Sequence, residues 1–153
     1  MRLTLLGATG PTGQHVLEQA LKTGHRITAL VRDPARLPQR DDTGVTVVTG
    51  DATRAEDLKR AINGSDAVIS ALGAGKNFSS DLAGHAARAS GLDWTLVYPA
   101  VLTNGPHTGR YTAVEQPTRR VGDRISRADV ADFMLAAVGS EEWSRRDAVL
   151  LTR

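Results

Sequence analysis

Along the first half of the chain, short apolar runs alternate with stretches in which apolar side chains recur every three or four positions. The runs Arg2–Leu6, Arg26–Val31, Val45–Thr49 and residues 67–71 are rich in Leu, Val and Ile and bounded by polar or glycine-containing segments, the pattern of buried strands. Between the first two, Val16, Leu17, Ala20 and Leu21 fall at helical spacing, and Gly24 is placed to end that helix. Regular alternation of strand and helix predicts a mainly parallel sheet covered by helices.

The pattern continues with more punctuation. Asp33 and Pro34 open a short helical turn, and Pro38 with residues 39–44 reads as a loop. Thr53 is placed to cap a helix over residues 54–62, with Glu56 in its first turn and Asn63-Gly64 as its stop. Residues 78–90 read as a helix whose inner face offers mainly Leu82, Ala83, Ala86, Ala87 and Ala89, side chains that bury little area. Residues 94–98 form a fifth strand. Residues 101–122 form a long loop holding a short hairpin around residues 110–114. Ser126 caps a helix over residues 127–138 with Val130, Phe133, Met134 and Ala137 on one face, and residues 148–152 are a last strand.

Composition narrows the classes of partner. A chain of 153 residues, 41% of them hydrophobic, suits a single domain over residues 1–153. Lys and Arg total 19 against 17 Asp and Glu, and a surplus of +2 gives no electrostatic case for nucleic acid or a membrane surface as partner. The absence of cysteine excludes thiolate chemistry and disulfides within this chain. His15, His25, His85 and His107 lack metal-ligand spacing and read as surface or turn residues, so no metal is expected. The run from Leu3 to Leu6 stops at Gly7, too short for a signal-peptide apolar region, and no later run approaches a membrane span; a cytoplasmic location is the expectation. The sequence sets no oligomeric state.

The candidate chemistry lies in GATGPTG, where Gly7, Gly10 and Gly13 sit between the first strand and the first helix. Glycines there permit a tight turn, close approach of backbone to a pyrophosphate, and close packing of helix on strand. The helix N-terminus then offers free N–H groups to the phosphates. The spacing is G-x-x-G-x-x-G instead of G-x-G-x-x-G, and the strand before it, the helix after it and the second strand beyond make the case for a dinucleotide. A phosphate loop around Gly75-Lys76 is excluded, because Asn77 stands where Ser or Thr is required and Ser70 where the first glycine is required.

The end of the second strand selects the cofactor. NAD sites place Asp or Glu there for the ribose hydroxyls, and NADP sites place a cation for the 2′-phosphate. Arg32 holds that position, with Arg36 one helical turn later, which favours NADP(H) over NAD(H). Asp33, next door, is the alternative reader of a ribose.

The strings LLGATGPTG, ALVRDPARL, VVTGDATRAEDL, DAVISALGAG, SGLDWTLVYPAVLTNGPHTGRY and RISRADVADFML together resemble the atypical short-chain dehydrogenase/reductase proteins with an NmrA-like or NAD(P)H-binding domain, nearest to the flavin reductase and biliverdin reductase B type. The resemblance covers residues 1–75 and 90–138. It implies that Gly7, Thr9, Gly10, Thr12 and Gly13 hold the pyrophosphate, that Arg32 binds the 2′-phosphate, and that Asp51 and Ala52 line the adenine pocket. It further implies that Ala71, Leu72 and Gly73 pass beside the ribose and pyrophosphate, and that Pro99, Ala100, Val101 and Leu102 lie near the nicotinamide, with the following loop closing over substrate. The implied fold is a Rossmann-like, doubly wound, mainly parallel sheet.

Against that family the chain is short. One helix joins the fourth and fifth strands where the family has a further helix–strand unit, about 30 residues or more, bearing a serine-containing stretch. A shortened sheet, a damaged copy and a sequence from which a stretch has been removed are three explanations. For the first, a right-handed crossover sets residues 94–98 beside residues 67–71 and gives the order 3-2-1-4-5-6.

No Tyr-x-x-x-Lys occurs, since Leu102 follows Tyr98 and Glu115 follows Tyr111 at that spacing, and alcohol or carbonyl chemistry is disfavoured. Transfer of hydride to a planar acceptor such as a flavin, biliverdin-like or quinone-like molecule asks chiefly for alignment of two rings. The candidate acceptor site comprises residues 72–77, 99–102 and 104–111; within it Tyr111 and His107 are candidates for substrate contact or plain loop residues. Ser79 and Ser80 read as helix caps. Asp129 and Asp132 read as a solvated helix face, with Arg127 as a local ion-pair partner. The expected function is an NADPH-dependent reductase; the alternative is a non-catalytic NADP(H)-binding or redox-sensing domain.

Overall fold

The computed structural model describes residues 1–73, 88–89, 91–115 and 122–152. The chain forms two compact units, Met1–Gly73 and Ala74–Arg153.

In the first unit, β1 (Arg2–Leu6), β2 (Arg26–Val31), β3 (Val45–Thr49) and β4 (Ala67–Ser70) form a parallel sheet in the order β3-β2-β1-β4. The helices are α1 (Pro11–Lys22), between β1 and β2, and α2 (Ala55–Ile62), between β3 and β4. Period-two alternation sends neighbouring residues of β1 to opposite faces. Leu6 packs with Leu30 and Ala61 on the α2 side, joined by Val48, Ala52 and Leu58. Thr4 points the same way: its hydroxyl, fully buried, donates to the Ala61 carbonyl at 2.8 Å and meets Ser65 Oγ at 2.6 Å. Leu3 and Leu5 are buried on the opposite face, which α1 covers with Val16, Leu17 and Ala20. Burial of a side chain of this size contributes roughly 1.5–3 kcal/mol. Helices on both faces make this a doubly wound Rossmann-like unit, as the sequence predicts.

One local expectation changes here. The residue at the N-cap of α2 is Arg54, which makes no side-chain capping bond, because the Thr53 hydroxyl and amide both donate to Asp51 Oδ1 at 2.8 and 2.9 Å. The short helical turn expected after β2 is present as a single 3-10 turn, Pro34–Arg36, capped by Asp33.

In the second unit, β5 (Thr95–Pro99) pairs parallel with β9 (Arg146–Thr152), and β7 (Tyr111–Val114) pairs antiparallel with β9 on its other side. A separate parallel ladder joins β6 (Val101–Thr103) to β8 (Arg124–Ser126). Helix α3 (Arg127–Ala137) follows β8 directly, capped by Ser126 Oγ, which accepts from the Asp129 amide. Phe133, on α3, stands edge-to-face with Tyr111 and Trp143, at centroid distances of 6.1 and 5.3 Å. Ile125, Val130, Ala137, Ala148 and Leu150 complete this core.

The expected hairpin around residues 110–114 is therefore a strand of the β9 ladder; its partner lies far along the chain, beyond the reach of a local turn. The order expected from sequence is reproduced as 3-2-1-4 in the first unit and as the pairing of the fifth predicted strand with the last in the second. The adjacency of the fourth and fifth strands is not among these ladders. Of the helix expected over residues 78–90, only Arg88 and Ala89 belong to the described residues, and both are helical. Ser79, Ser80, Leu82, Ala83, Ala86 and Ala87 lie outside them.

Candidate nucleotide-binding site

The glycine turn is built by contact as much as by conformation. Gly7 has φ +81°, in the left-handed region, and a Cβ placed on it would stand 2.8 Å from both the carbonyl carbon and oxygen of Ala71. A Cβ on Gly13 would stand 2.0 Å from the Gly7 carbonyl oxygen. Gly10 is less confined, 3.2 Å from the same oxygen; its amide donates to Gly7 O at 2.9 Å, and it forms the N-cap of α1. The three glycines thus bring the end of β1, the start of α1 and the backbone after β4 into direct packing.

That packing leaves the N-terminus of α1 open. Pro11 opens the helix, no side chain caps it, and its first turn holds no acidic residue. The Gln14 amide makes the first intrahelical bond, to Gly10 O at 2.9 Å, so the amides of Thr12 and Gly13 precede the ladder. Such an end carries a partial positive charge suited to an anion. Thr9 and Thr12 are both partly exposed beside it.

At the end of β2, Arg32 is exposed and makes no hydrogen bond or ion pair among the described residues. Asp33 Oδ1 accepts from the Ala35 amide at 3.0 Å, which commits it to its own turn. At the end of β3, the bonds from Thr53 hold the Asp51 carboxyl below the usual carboxylate range, with a further contribution from the positive charge of Arg32. Asp51 and Ala52 are both partly buried. The amide of Asp51 donates to Asp57 Oδ2 at 3.0 Å. At the end of β4, the Ala71 amide donates to Leu6 O at 2.9 Å, Leu72 is 42% exposed, and a Cβ on Gly73 would meet nothing within 4 Å. Gly7, Gly10, Gly13, Ala71 and Leu72 are therefore neighbours at the carboxyl end of the first sheet, and the ends of β2 and β3 bring Arg32 and Asp51 into electrostatic range. Ligands of open parallel sheets bind at that end. The Cβ contacts at Gly7 and Gly13 are with protein backbone, so these two glycines are required by the packing of β1, α1 and the segment after β4, and that packing sets the uncapped N-terminus of α1 at this end of the sheet.

Pro99, Ala100, Val101 and Leu102 belong to the second unit. Pro99 ends β5; Ala100 donates to Leu150 O at 3.0 Å; Val101 begins β6 and donates to Asp123 O at 3.2 Å. Val101 is 64% and Leu102 36% exposed, so two apolar side chains of this stretch face away from the core.

The solvated helix face expected of Asp129 and Asp132 is corrected by the structure. Asp129 is buried and accepts from the Thr108 amide at 2.7 Å, the Gly109 amide at 2.9 Å and the Thr108 hydroxyl at 2.9 Å. Burial alone would push its carboxyl up; these bonds more than reverse that and leave it below the usual carboxylate range. Asp132 Oδ2 accepts from the Tyr111 hydroxyl at 2.8 Å. Arg127, the expected ion-pair partner, donates instead to Asn104 Oδ1 at 2.5 Å. The signal available in the sequence was the three-residue spacing of Asp129 and Asp132, which sets both carboxylates on one helix face but says nothing of the loop that meets them. Among the described residues no helix is long and apolar enough to cross a membrane, and no three His, Cys, Asp or Glu side chains are placed to hold a metal.

A Rossmann-like sheet with a glycine turn at its carboxyl end is an architecture that takes up dinucleotides. The NAD(P)H-binding family matches residues 7–89 and 79–141, and the chain belongs to that family. An isoflavone reductase homolog of Zea mays is 39% identical over 80 residues; the match covers 47% of this chain and 26% of the maize protein, so the chain spans about a quarter of that relative's length. A Rossmann-fold NAD(P)-binding family protein from Shigella flexneri superimposes with a TM-score of 0.84 at 23% identity, over 99% of this chain and 93% of that one. ChuY, an anaerobillin reductase from Escherichia coli, does so with a TM-score of 0.81 at 20% identity, over 99% of this chain and 97% of its own.

Proposed function

We propose that this protein is an NADPH-dependent reductase acting on a small planar acceptor of flavin, biliverdin-like or quinone-like type. The observation that carries the cofactor preference is the pair of neighbours at the end of β2: Arg32, without a partner among the described residues, and Asp33, bound to its own turn. A guanidinium there recognises the 2′-phosphate bidentately, and the Asp33 carboxylate has one oxygen held by its own turn. The amides of the Gly7, Thr9, Gly10, Thr12 and Gly13 turn hold the pyrophosphate. Asp51 and Ala52 line the adenine side, and Ala71, Leu72 and Gly73 follow the ribose. That Pro99, Ala100, Val101 and Leu102 serve the nicotinamide end is what the family resemblance implies; within the second unit Val101 and Leu102 are exposed.

When bound, the nicotinamide supplies hydride. The chain's part is to hold two rings in register and exclude water from between them, which needs no Tyr-x-x-x-Lys relay. The reductase names of the maize and Escherichia coli relatives support a reductase. The division of the family match into two pieces supports a shortened middle relative to the family, and that shortening favours the second reading, a domain that binds NADP(H) without turnover. Oxidation of NADPH followed at 340 nm with FMN, a quinone and biliverdin separates the two: acceleration by any acceptor supports the reductase, and NADPH binding with no acceleration by any of them leaves the sensor.

A further inference from the structure

The second unit carries a cavity formed by its own residues alone. About 380 Å³ of open space stands between α3, β7 and the 3-10 turn Glu141–Trp143, and its lining holds the rings of Tyr111, Phe133 and Trp143. A volume of this size with an aromatic lining suits a small molecule. Each ring is held in place. Phe133 is buried and stands edge-to-face with both others, the Tyr111 hydroxyl donates to Asp132 Oδ2 at 2.8 Å, and the Trp143 carbonyl accepts from the Thr95 hydroxyl at 2.8 Å. The lining is therefore formed before a ligand enters, which lowers the cost of ordering it.

Glu142 carries the one carboxylate of the lining, and no Lys, Arg or His lines the cavity among the described residues. That carboxylate is on an exposed side chain and makes no hydrogen bond or ion pair among them. Asp132, by contrast, is engaged by Tyr111 and by His107, whose Nε2 is 3.4 Å from Asp132 Oδ1. Aromatic rings and a carboxylate favour the same guest. A ring carries negative charge on its face, so a weakly hydrated organic cation gains from the rings and from Glu142 together, and an anion is repelled by both. We propose that this cavity is a binding site for a small organic cation of amidinium, guanidinium or substituted ammonium type, with Glu142 as its counter-ion. None of its residues belongs to the glycine turn or the ends of β2 and β3, and the assignment does not rest on the reductase reading.

The test titrates the intact protein with benzamidine, benzamide and benzoate, which share a ring and a planar head and are respectively a cation, a neutral molecule and an anion at pH 7. The Trp143 indole N–H signal in ¹H–¹⁵N NMR spectra follows binding; the other tryptophan is Trp94, so Trp94→Phe assigns the two signals. The expected result is a saturable shift with benzamidine, at least about tenfold tighter than with benzamide, and no shift with benzoate. Glu142→Gln should weaken benzamidine about tenfold and leave benzamide unchanged. Glu141→Gln, at a position outside the lining, should change neither. Ala136→Leu narrows the cavity with a good helix former and should abolish the shift. No saturable shift with benzamidine overturns the proposal, as does benzamide binding as tightly as benzamidine, or a benzamidine affinity that Glu142→Gln leaves in place. A Trp143 signal that moves with protein concentration when no probe is present would put a second copy of the chain in the cavity and overturns it as well.

Discussion

The Cα of Gly13 lies against the carbonyl of Gly7 so closely that a Cβ would stand 2.0 Å from that oxygen. No rotamer relieves such a contact, because both sides are backbone. Gly13→Ala should therefore shift α1 away from β1 and destabilise the protein by about 2 kcal/mol or more. Gly24 has φ +78° with nothing within 4 Å of its Cβ position, and Gly24→Ala should cost only about 1 kcal/mol, from the left-handed backbone. Urea unfolding of both variants checks the contrast, and NADPH affinity should fall with the first alone.

Arg32 and Asp33 make opposite use of adjacent positions. Arg32→Asp removes the cation proposed for the 2′-phosphate and puts a repelling carboxylate in its place. NADPH affinity should fall by at least about tenfold, roughly 1.4 kcal/mol, while NADH affinity stays level or rises. Parallel fluorescence titrations with the two nucleotides measure it; equal loss for both would mean that Arg32 contacts a part they share.

Asp129 ties the loop before β7 to the first turn of α3. Its carboxyl titrates below the usual range in the folded protein, so its contribution to stability is present above the unfolded value of about 3.9 and is lost as pH falls through the folded value. Asp129→Ala should cost about 3 kcal/mol at pH 7 and Asp129→Asn about 1–2 kcal/mol. The difference from wild type should shrink below about pH 4, which unfolding curves at pH 7, 5 and 3.5 would show.

Tyr111 is pushed the other way. Burial first, and then the bond to Asp132, raise its phenol well above the ordinary tyrosine range. A raised phenol stabilises the fold below about pH 10, and that contribution is lost as pH climbs from there toward the folded value. In a Tyr98→Phe background Tyr111 is the sole tyrosine of the chain. Its absorbance change at 295 nm should come only with alkaline unfolding, and introducing Asp132→Asn should bring it to lower pH.

Strands β1, β2 and β3 have the bounds their apolar runs predict, because each is flanked by a glycine or a polar turn and buried by elements near in sequence. The glycine turn between β1 and α1 was legible for a related reason: Gly7, Gly10 and Gly13 act on one another within a single turn. The contact of Gly7 with Ala71 was not legible from local pattern, nor was the pairing of β7 with β9, since each depends on chain returning from far away. Asp129 misled for the same cause. Three residues after a serine cap and on a polar stretch it reads as solvated, and only the returning Thr108 and Gly109 show that it is buried.

We propose that this chain binds NADP(H) through the glycine turn and Arg32. Titration of the intact protein with NADPH and, separately, NADH, followed by nicotinamide fluorescence, tests it most directly. Saturable binding of one NADPH per chain, at least about tenfold tighter than NADH and weakened by Gly13→Ala, is the predicted result. No saturable binding of either nucleotide, or binding that favours NADH, would contradict it.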